Sequence, residues 1–345
     1  MSLQLDRYGF ITNIDNKGQI VETNGVESIQ VPSFTESQRT DRREKKWNTT
    51  LQSWDTSNNL QRKQLHAPSS NKVLIRRLRK GVPDSIRGRV WTALGGGIRT
   101  PGMYQKIIEK TNIIERDIHR TYPRHNLFYE EERDTSPLPE TVPCGQAALR
   151  RVLRAYSYYD PEVGYCQGMN FIAGMFLTQM NEEEAFWLLV SVMHDKPCKM
   201  GGLFGEGMRD THKVLFVAEK LIHHYLSRLA RHFDKEHVHL TMYATQWLLT
   251  QFTSNFKFDL VFRVWDAFLG EGWKIIYRVM LALMQKYQSQ LLKMSFEDIL
   301  TFFRELPTKI DGNQIMDMAL KIPLRKKVMA KYENEWESQQ QEQHQ

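Results

Sequence analysis

The stretch LVFRVWDAF, residues 260–268, decides the fold class because its apolar side chains recur at helical spacing. Val261, Val264, Trp265 and Phe268 share one stripe of a helix with about 3.6 residues per turn. A second run, QAALRRVLRAY at residues 146–156, repeats the pattern with four apolar residues: Leu149, Val152, Leu153 and Tyr156. The sequence contains no row of alternating strands and no series of hairpin turns. It therefore predicts an all-α fold.

Apolar density along the chain indicates three regions. Residues 1–70 predict an N-terminal extension, extended or irregular at first, that packs on the rest of the protein. Residues 71–332 predict the main domain, with an N-terminal lobe over about 71–215 and a C-terminal lobe over about 216–332. Residues 333–345 are polar and Gln-rich, and we expect them to be disordered.

Local signals predict individual helices within these regions. In the extension, Trp47, Leu51 and Trp54 recur at helical spacing, and the face that they form requires a docking surface. In the main domain, Asn181 and Ser295 are both followed by acidic residues in the next turn, which is typical of residues that cap the start of a helix.

Composition limits the classes of function. Lys and Arg outnumber Asp and Glu by 47 to 40, and the resulting net charge of +7 lacks the dense blocks of a dedicated nucleic-acid binder. The three cysteines form no CxxC pair, so we expect free thiols in a reducing, cytoplasmic compartment. No apolar run approaches the ~20 residues that span a membrane, so we expect any membrane association to be peripheral or through a partner.

Several familiar catalytic signatures are missing or incomplete. Cys166 has no evident histidine base and lies among apolar and aromatic residues, which favours a small buried side chain over a nucleophile. The histidines include no HExxH and no ligand-like spacing, which disfavours a metal site. Two glycine clusters, ALGGG at residues 93–97 and GGLFGEG at residues 201–207, lack the GxxxxGK signature and predict connections rather than phosphate loops.

The basic run IRRLRKG, residues 75–81, has two interpretations. On a helix its arginines alternate with apolar residues, and Gly81 followed by Pro83 is a typical helix end. This favours a solvated face whose charge complements the C-terminal end of the helix dipole. Contact with nucleic-acid phosphates is the weaker hypothesis, because no nucleic-acid-binding module accompanies the run.

The segment IIERDIHRTYPRH, residues 113–125, predicts a positioned arginine. Asp117 lies three residues before Arg120, so its carboxylate can hold the guanidinium on the helix surface. Pro123 disfavours helical geometry at the preceding residue, and the helix should end there with Arg120 in its last turn. A cation in a last turn also complements the dipole by about 0.3–1 kcal/mol, so this segment alone allows a purely structural role.

Three short motifs, in this order, resemble the signatures RxxxW, IxxDxxR and YxQ of the TBC-domain Rab GTPase-activating proteins. They are IRGRVW at residues 86–91, IERDIHR at residues 114–120 and GYCQG at residues 164–168. The resemblance covers about residues 73–306 and departs from the pattern at no motif position. Each motif is short, so the specificity lies in the set. The leader DRYGF, residues 6–10, is similar to one that precedes the domain in a subset of these proteins.

The resemblance implies a role for each matching residue. Arg120 matches the arginine finger, and Gln167 matches the glutamine finger. Five further positions match residues that hold the fingers or their loops: Arg87, Trp91, Asp117, Tyr165 and Gly168. The loop over residues 131–144 is idiosyncratic, and we expect it to influence the choice of partner.

The family also implies an architecture, an activity and a partner. The expected fold is a two-lobed, multi-helix domain that stimulates GTP hydrolysis by a Rab small GTPase in its GTP-bound state. The arginine finger would stabilise charge on the transferred phosphoryl group, and the glutamine finger would orient the attacking water in trans. The Rab would carry the GTP and Mg²⁺, so we expect no cofactor of the protein's own. A cytoplasmic protein that is recruited to endomembranes and regulates vesicle traffic fits this interpretation.

Two other functions stay open. The domain could be a catalytically silent module that binds a Rab as a scaffold, because motifs alone do not exclude this. The net charge and the basic run leave a helical phosphate- or nucleic-acid-binding protein as a third hypothesis, which strongly salt-dependent binding to duplex DNA would favour.

Overall fold

The structure is a computed structural model that describes five stretches of the chain: residues 5–10, 34–55, 71–95, 114–129 and 145–343. It is 73% helical, and the described residues contain no strand, only an isolated bridge between Phe10 and His125. The all-α prediction is confirmed. The loop over residues 131–144 and the predicted boundary at residue 70 lie outside the described residues, so both remain predictions.

The α-helices within the described ranges are numbered here in chain order. The first eight are α1 Phe34–Asp55, α2 Lys72–Arg79, α3 Arg87–Leu94, α4 Glu115–Ile118, α5 Gly145–Tyr159, α6 Met169–Leu177, α7 Glu182–His194 and α8 Gly201–Phe204. The remainder are α9 Arg209–Tyr225, α10 Ser227–Lys235, α11 Thr245–Leu249, α12 Phe258–Glu271, α13 Trp273–Leu291, α14 Phe296–Lys309, α15 Gly312–Lys321 and α16 Lys326–Gln343. Short 3₁₀ turns lie at Asp84–Ile86, Glu206–Met208 and Leu240–Met242.

Helix α12 is central to the packing, because it contacts α2, α3, α13 and α15. Its stripe of Val261, Val264, Trp265 and Phe268 is fully buried, as the spacing predicts. The matching stripe on α5 is also buried, and α5 packs on α6 and α7. One continuous apolar core therefore joins the segments that carry the three motifs.

Both predicted helix starts are confirmed. Asn181 and Glu184 form a capping box at the start of α7, in which the Glu184 N–H donates to the Asn181 side chain at 3.0 Å. Ser295 and Asp298 form the same reciprocal arrangement at the start of α14. These boxes satisfy backbone N–H groups that have no partner inside the helix.

The described parts of the N-terminal extension dock on the helical body. Trp47 and Leu51 of α1 are buried, whereas the side chain of Trp54 lies outside the described set. Near the N-terminus, Tyr8 packs edge-on against Phe262 with ring centroids 5.5 Å apart, and Phe10 packs on Phe258 at 4.8 Å. Leader and α1 thus cover apolar surface of the main domain.

One predicted boundary needs correction. The division between lobes expected near residue 215 lies within α9, Arg209–Tyr225, and stays a prediction. The tail over residues 333–345 is not disordered where it is described, since α16 continues to Gln343. Trp336 packs on Phe216 with ring centroids 5.4 Å apart. The Gln-rich composition hid this anchor, because only a few apolar residues of α16, Met329, Tyr332 and Trp336, pack on the protein while most of its surface is polar.

No helix of the described residues combines the length and the apolar character needed to cross a membrane.

Candidate functional site

The RxxxW motif forms a buried scaffold rather than a reactive surface. Arg87 begins α3, and its side chain is 5% exposed. Its Nη2 donates to the Val82 carbonyl at 2.6 Å, it forms an ion pair with Asp84, and its guanidinium lies 4.7 Å from the ring centre of Phe262. The motif arginine is therefore fully engaged inside the protein.

Asp266 of α12 connects both motif residues and is fully buried. One oxygen, Oδ1, accepts from the Trp91 indole at 2.9 Å and from Arg87 Nε at 3.3 Å, and Oδ2 accepts from the Val82 N–H at 2.7 Å. Burial raises the pKa of Asp266, while these donors act in the opposite direction. Burial also lowers the pKa of Arg87, but attraction to Asp266 and Asp84 outweighs it and raises that pKa. The ion pair joins α3 to α12.

The IxxDxxR motif places Arg120 at the surface. Helix α4 is only four residues long, so Arg120 lies in the turn after the helix and not in its last turn as expected. The side chain is 61% exposed, and its Nη2 lies 2.9 Å from Asp117 Oδ1. Its Nε donates to the Arg116 carbonyl at 3.0 Å. The predicted pairing with Asp117 is confirmed, and it steers an exposed guanidinium.

The backbone beyond Arg120 turns sharply at Tyr122, where φ is +47°. The following Pro123 disfavours the helical conformation there, as the sequence predicts. The Tyr122 hydroxyl lies 2.9 Å from the Phe171 carbonyl and 3.0 Å from the Thr253 carbonyl. These contacts hold a conformation that is unfavourable for a bulky residue. Arg120 therefore lies on a loop with a fixed end.

The YxQ motif forms a second loop, which ends where α6 begins. Gly168 has φ +109°, a value that strongly favours glycine, and an added Cβ would come within 3.2 Å of Thr250. Gln167 precedes it and is exposed. Its side-chain amide forms no hydrogen bond with any described residue, so both its donor and its acceptor are available.

A single carboxylate links the two loops. Asp117 binds Arg120 through Oδ1, and its Oδ2 accepts a hydrogen bond from the Tyr165 hydroxyl at 2.5 Å. Burial raises the pKa of Tyr165 well above its usual range, and the hydrogen bond to Asp117 raises it further, so the phenol remains a donor. Asp117 thereby connects the residue that matches the arginine finger to the loop that carries Gln167.

A second link passes through Asn170, which is buried on α6. Its Nδ2 donates to the Thr121 hydroxyl at 2.8 Å, and its Oδ1 accepts from the Gly168 N–H at 3.0 Å. The Thr121 hydroxyl donates in turn to the Asp117 carbonyl at 2.7 Å. The residues directly after Arg120 and directly after Gln167 are thus joined by a buried polar chain.

The motifs did not identify Asn170, Thr121 or Asp266. A usable signal existed for two of them: Asn170 interrupts the apolar run MNFIAGMFL, and Asp266 interrupts the buried stripe of α12. A polar group on a buried face costs free energy unless it is hydrogen-bonded, so both positions indicate a specific partner. Thr121 carries no such signal, because its role depends on a contact with a residue 49 positions away.

Cys166 lies between Tyr165 and Gln167 and is half-buried. Burial raises the pKa of its thiol, and the Gln167 backbone N–H only partly offsets this. A raised pKa keeps the thiol protonated at neutral pH, which disfavours a nucleophile. The interpretation of Cys166 as a spacer agrees with these surroundings.

Arginines of the basic run IRRLRKG bind groups of the protein itself. Helix α2 ends at Arg79, close to the predicted end. Arg79 forms two hydrogen bonds to Glu271, and Arg77 donates to the Lys46 carbonyl of α1 at 3.0 Å. The structural interpretation of this run is therefore supported for both residues.

The arrangement has a definite chemical capacity. It presents one steered guanidinium and one unbonded amide on two loops that share buried anchors. A guanidinium neutralises charge on a phosphoryl group, and an amide both donates to and accepts from water and phosphate oxygens. Within the described residues, no three His, Cys, Asp or Glu side chains are grouped to hold a metal ion.

Known proteins match this chain over most of its length. A human protein named ecotropic viral integration site 5 protein homolog is 34% identical over 84% of the chain, which covers 34% of that relative. Rab GTPase-activating protein tbc-11 of Caenorhabditis elegans is 33% identical over 84% of the chain, which covers 30% of that relative. The chain thus spans about a third of the length of these relatives.

Solved structures share the fold. The crystal structure of the Chlamydomonas flagellar RabGAP TBC domain matches with a TM-score of 0.64 and 26% identity, over 92% of this chain and 100% of that one. The Ypt/Rab-GAP domain of Gyp1p matches in fold with a TM-score of 0.62 at 20% identity, over 82% of this chain and 97% of that one. The sequence model of the Rab-GTPase-TBC domain matches residues 84–292, a span that contains all three motifs and both loops. The chain belongs to the Rab-GTPase-TBC domain family.

Proposed function

We propose that the protein is a GTPase-activating protein for Rab-family small GTPases and that it supplies Arg120 and Gln167 in trans. The observation that carries this proposal is the link through Asp117, which joins both loops while leaving both side chains exposed. Relatives whose names include Rab GTPase-activating protein, and membership of the family, support it. Under this proposal the GTP and Mg²⁺ belong to the Rab, and the protein acts in the cytoplasm or at endomembranes in vesicle traffic.

The ion pair of Arg120 suits a group that has to move. A surface pair of this kind contributes only about 0–1 kcal/mol, so the guanidinium can leave Asp117 at little cost. Negative charge near the transferred phosphoryl group then replaces the carboxylate as its partner. Asp117 keeps its hydrogen bond from Tyr165 throughout, so the loop stays in place while the finger extends.

Gln167 would act on the water. Its amide oxygen can accept a hydrogen bond from the attacking water while its NH₂ group donates to a phosphate oxygen, which aligns the two for in-line attack. Gly168 helps to set where this amide lies, because the backbone turns at Gly168, directly after Gln167. Arginine and glutamine together supply charge compensation and orientation, the two requirements of phosphoryl transfer to water.

Single-turnover GTP hydrolysis on a panel of purified Rab proteins tests the proposal. The wild-type protein should accelerate at least one Rab, and Arg120→Ala should abolish that acceleration. Arg124→Ala is the matched control, because Arg124 is exposed nearby and has no motif role. If the wild type binds a GTP-loaded Rab but accelerates no member of the panel, the silent scaffold is the better description.

A further inference from the structure

A basic cluster lies at the opposite end of α12 from the finger loops. The helix begins at Phe258, whose ring packs on Tyr122 with centroids 5.1 Å apart, and ends at Glu271. Its 14 residues span about 20 Å at ~1.5 Å per residue. Around Glu271 lie three cations from two other helices: Arg79, Lys274 and Arg278.

Arg79 already binds Glu271, the only carboxylate of this cluster among the described residues. Its Nε lies 2.6 Å from Glu271 Oε1, and its Nη2 lies 2.7 Å from Oε2. This bidentate arrangement, with two parallel hydrogen bonds, is among the strongest interactions between a guanidinium and a carboxylate. By contrast, Arg278 Nη1 is 3.8 Å from Oε2, which is beyond hydrogen-bonding distance. Among the described residues, Lys274 therefore forms no ion pair, and Arg278 has only this longer one.

Arg278 is unusual for a buried charge. Its side chain is 8% exposed, and its Nε and Nη1 have no hydrogen-bond partner among the described residues. Burial lowers the pKa of Arg278, and attraction to Glu271 only partly offsets this. The pKa of Lys274 is also lowered, by burial and by repulsion from Arg278. A buried guanidinium with unmet donors is costly, and a bound anion would remove that cost.

The backbone adds to the same positive field. Helix α13 begins at Trp273 with no side-chain cap and no acidic residue in its first turn. The first N–H groups of a helix and its dipole favour an anion at this end. Lys274 lies in that first turn, and Arg278, one turn later, reaches back toward Glu271 just before the helix start. The side chains of Lys274 and Arg278 thus lie at the same end of α13 as its uncapped first turn, beside Glu271.

We propose that this cluster, defined as Arg79, Lys274, Arg278 and the start of α13, binds a phosphate-bearing anion. Lys274, Arg278 and the helix start supply the donors, and Arg79 holds Glu271 away from them. The site is separate from the finger loops and does not depend on the Rab proposal. The phosphate belongs either to a lipid headgroup or to a soluble phosphorylated molecule, and the experiment below separates these two sources.

Two binding measurements on the full chain test this site. Pyrophosphate is titrated with thermal unfolding as the readout, and sedimentation is measured with phosphatidylcholine vesicles that contain phosphatidylinositol bisphosphate. Lys274→Met should weaken binding about tenfold or more, whereas Lys274→Arg should retain it. Lys235→Met is the matched control, because Lys235 is highly exposed on α10 and far along the chain from the cluster.

Without any anion, Lys274→Met should unfold at the same or a higher temperature than the wild type, because it removes repulsion from Arg278. Pyrophosphate binding that requires Lys274 identifies a site for soluble phosphates. Binding only to the bisphosphate vesicles, again requiring Lys274, identifies a lipid headgroup site. The proposal is overturned if neither probe binds, or if Lys235→Met loses as much binding as Lys274→Met.

Discussion

Arg120 and Arg87 carry the same guanidinium and belong to signature motifs of one family, yet their environments are opposite. The side chain of Arg120 is 61% exposed, and its one ion pair is with Asp117. The side chain of Arg87 is 5% exposed and binds Asp84, Asp266 and the Val82 carbonyl. The motif set therefore mixes two kinds of residue. One kind is free to meet a partner, and the other holds helices together.

Arg120→Lys should have the largest effect and should separate the two kinds of residue most clearly. We expect loss of nearly all stimulation, roughly a thousandfold to a hundred-thousandfold in rate, because an arginine finger works through its planar fork as well as its charge. The free energy of unfolding should hardly change, because a surface ion pair contributes little. Single-turnover hydrolysis and urea unfolding measure both quantities. Full stimulation by the lysine variant would remove the finger from the account.

Asp266→Ala should act on the scaffold instead. The change leaves the Trp91 indole, the Val82 N–H and Arg87 Nε without their acceptor in the core. Loss of one partner from a buried ion pair costs about 3–5 kcal/mol of unfolding free energy. Urea unfolding measures this cost, with Asp317→Ala on the exposed face of α15 as the control. Equal stability of the two variants would mean that Asp266 does not hold the scaffold.

The effect of Asn170→Ala should combine those of Arg120→Lys on activity and Asp266→Ala on stability, each to a smaller extent. Removing the side chain breaks the hydrogen-bond path that runs from Gly168 through Asn170 to Thr121. The buried groups left unsatisfied cost about 1–3 kcal/mol of unfolding free energy. Because this hydrogen-bond path positions both loops, the stimulated rate of GTP hydrolysis should also fall by about tenfold under conditions where the variant is folded. Asn334→Ala, at an exposed position of α16, is the control for stability. A stability loss with unchanged stimulation would show that Asn170 only supports packing.

The smallest expected effect is a pH dependence at His125, where the leader docks. The ring Nε2 binds the Tyr8 carbonyl at 2.8 Å, and Nδ1 accepts from the Leu127 N–H at 3.1 Å, so the neutral ring fits and the charged ring does not. Burial lowers the pKa of His125 below its usual 6.5, although the bond to Tyr8 and the charge of Asp6 offset part of this. The unfolded chain therefore takes up the proton first as pH falls.

The direction of the pH dependence of stability follows from that order of protonation. The contribution of His125 to stability is present above its unfolded pKa and is lost as pH falls below about 6.5. Urea unfolding at neutral and mildly acidic pH should show this loss, and His125→Gln should reduce it. An identical pH dependence in wild type and variant would contradict the assignment to His125.

Sequence periodicity predicted the helices whose faces are fully buried, because burial imposes a strict apolar spacing. It also predicted the pairing of Asp117 with Arg120, which is local in the chain. It failed for α16, where Trp336, together with buried Met329 and Tyr332, anchors a polar helix. Asn170 interrupts an apolar run, which indicated a buried partner, but its contact with Thr121 was not predicted because it depends on tertiary structure.

Under the proposed function, the protein binds a Rab and supplies a glutamine as well as an arginine. Single-turnover GTP hydrolysis with Gln167→Ala tests this, alongside the affinity of that variant for the same GTP-loaded Rab. Gln167 is exposed and forms no hydrogen bond with any described residue, so the substitution should leave folding intact and affinity close to that of the wild type. We expect slow hydrolysis at saturating protein with little change in affinity. Hydrolysis as fast as that of the wild type would contradict it.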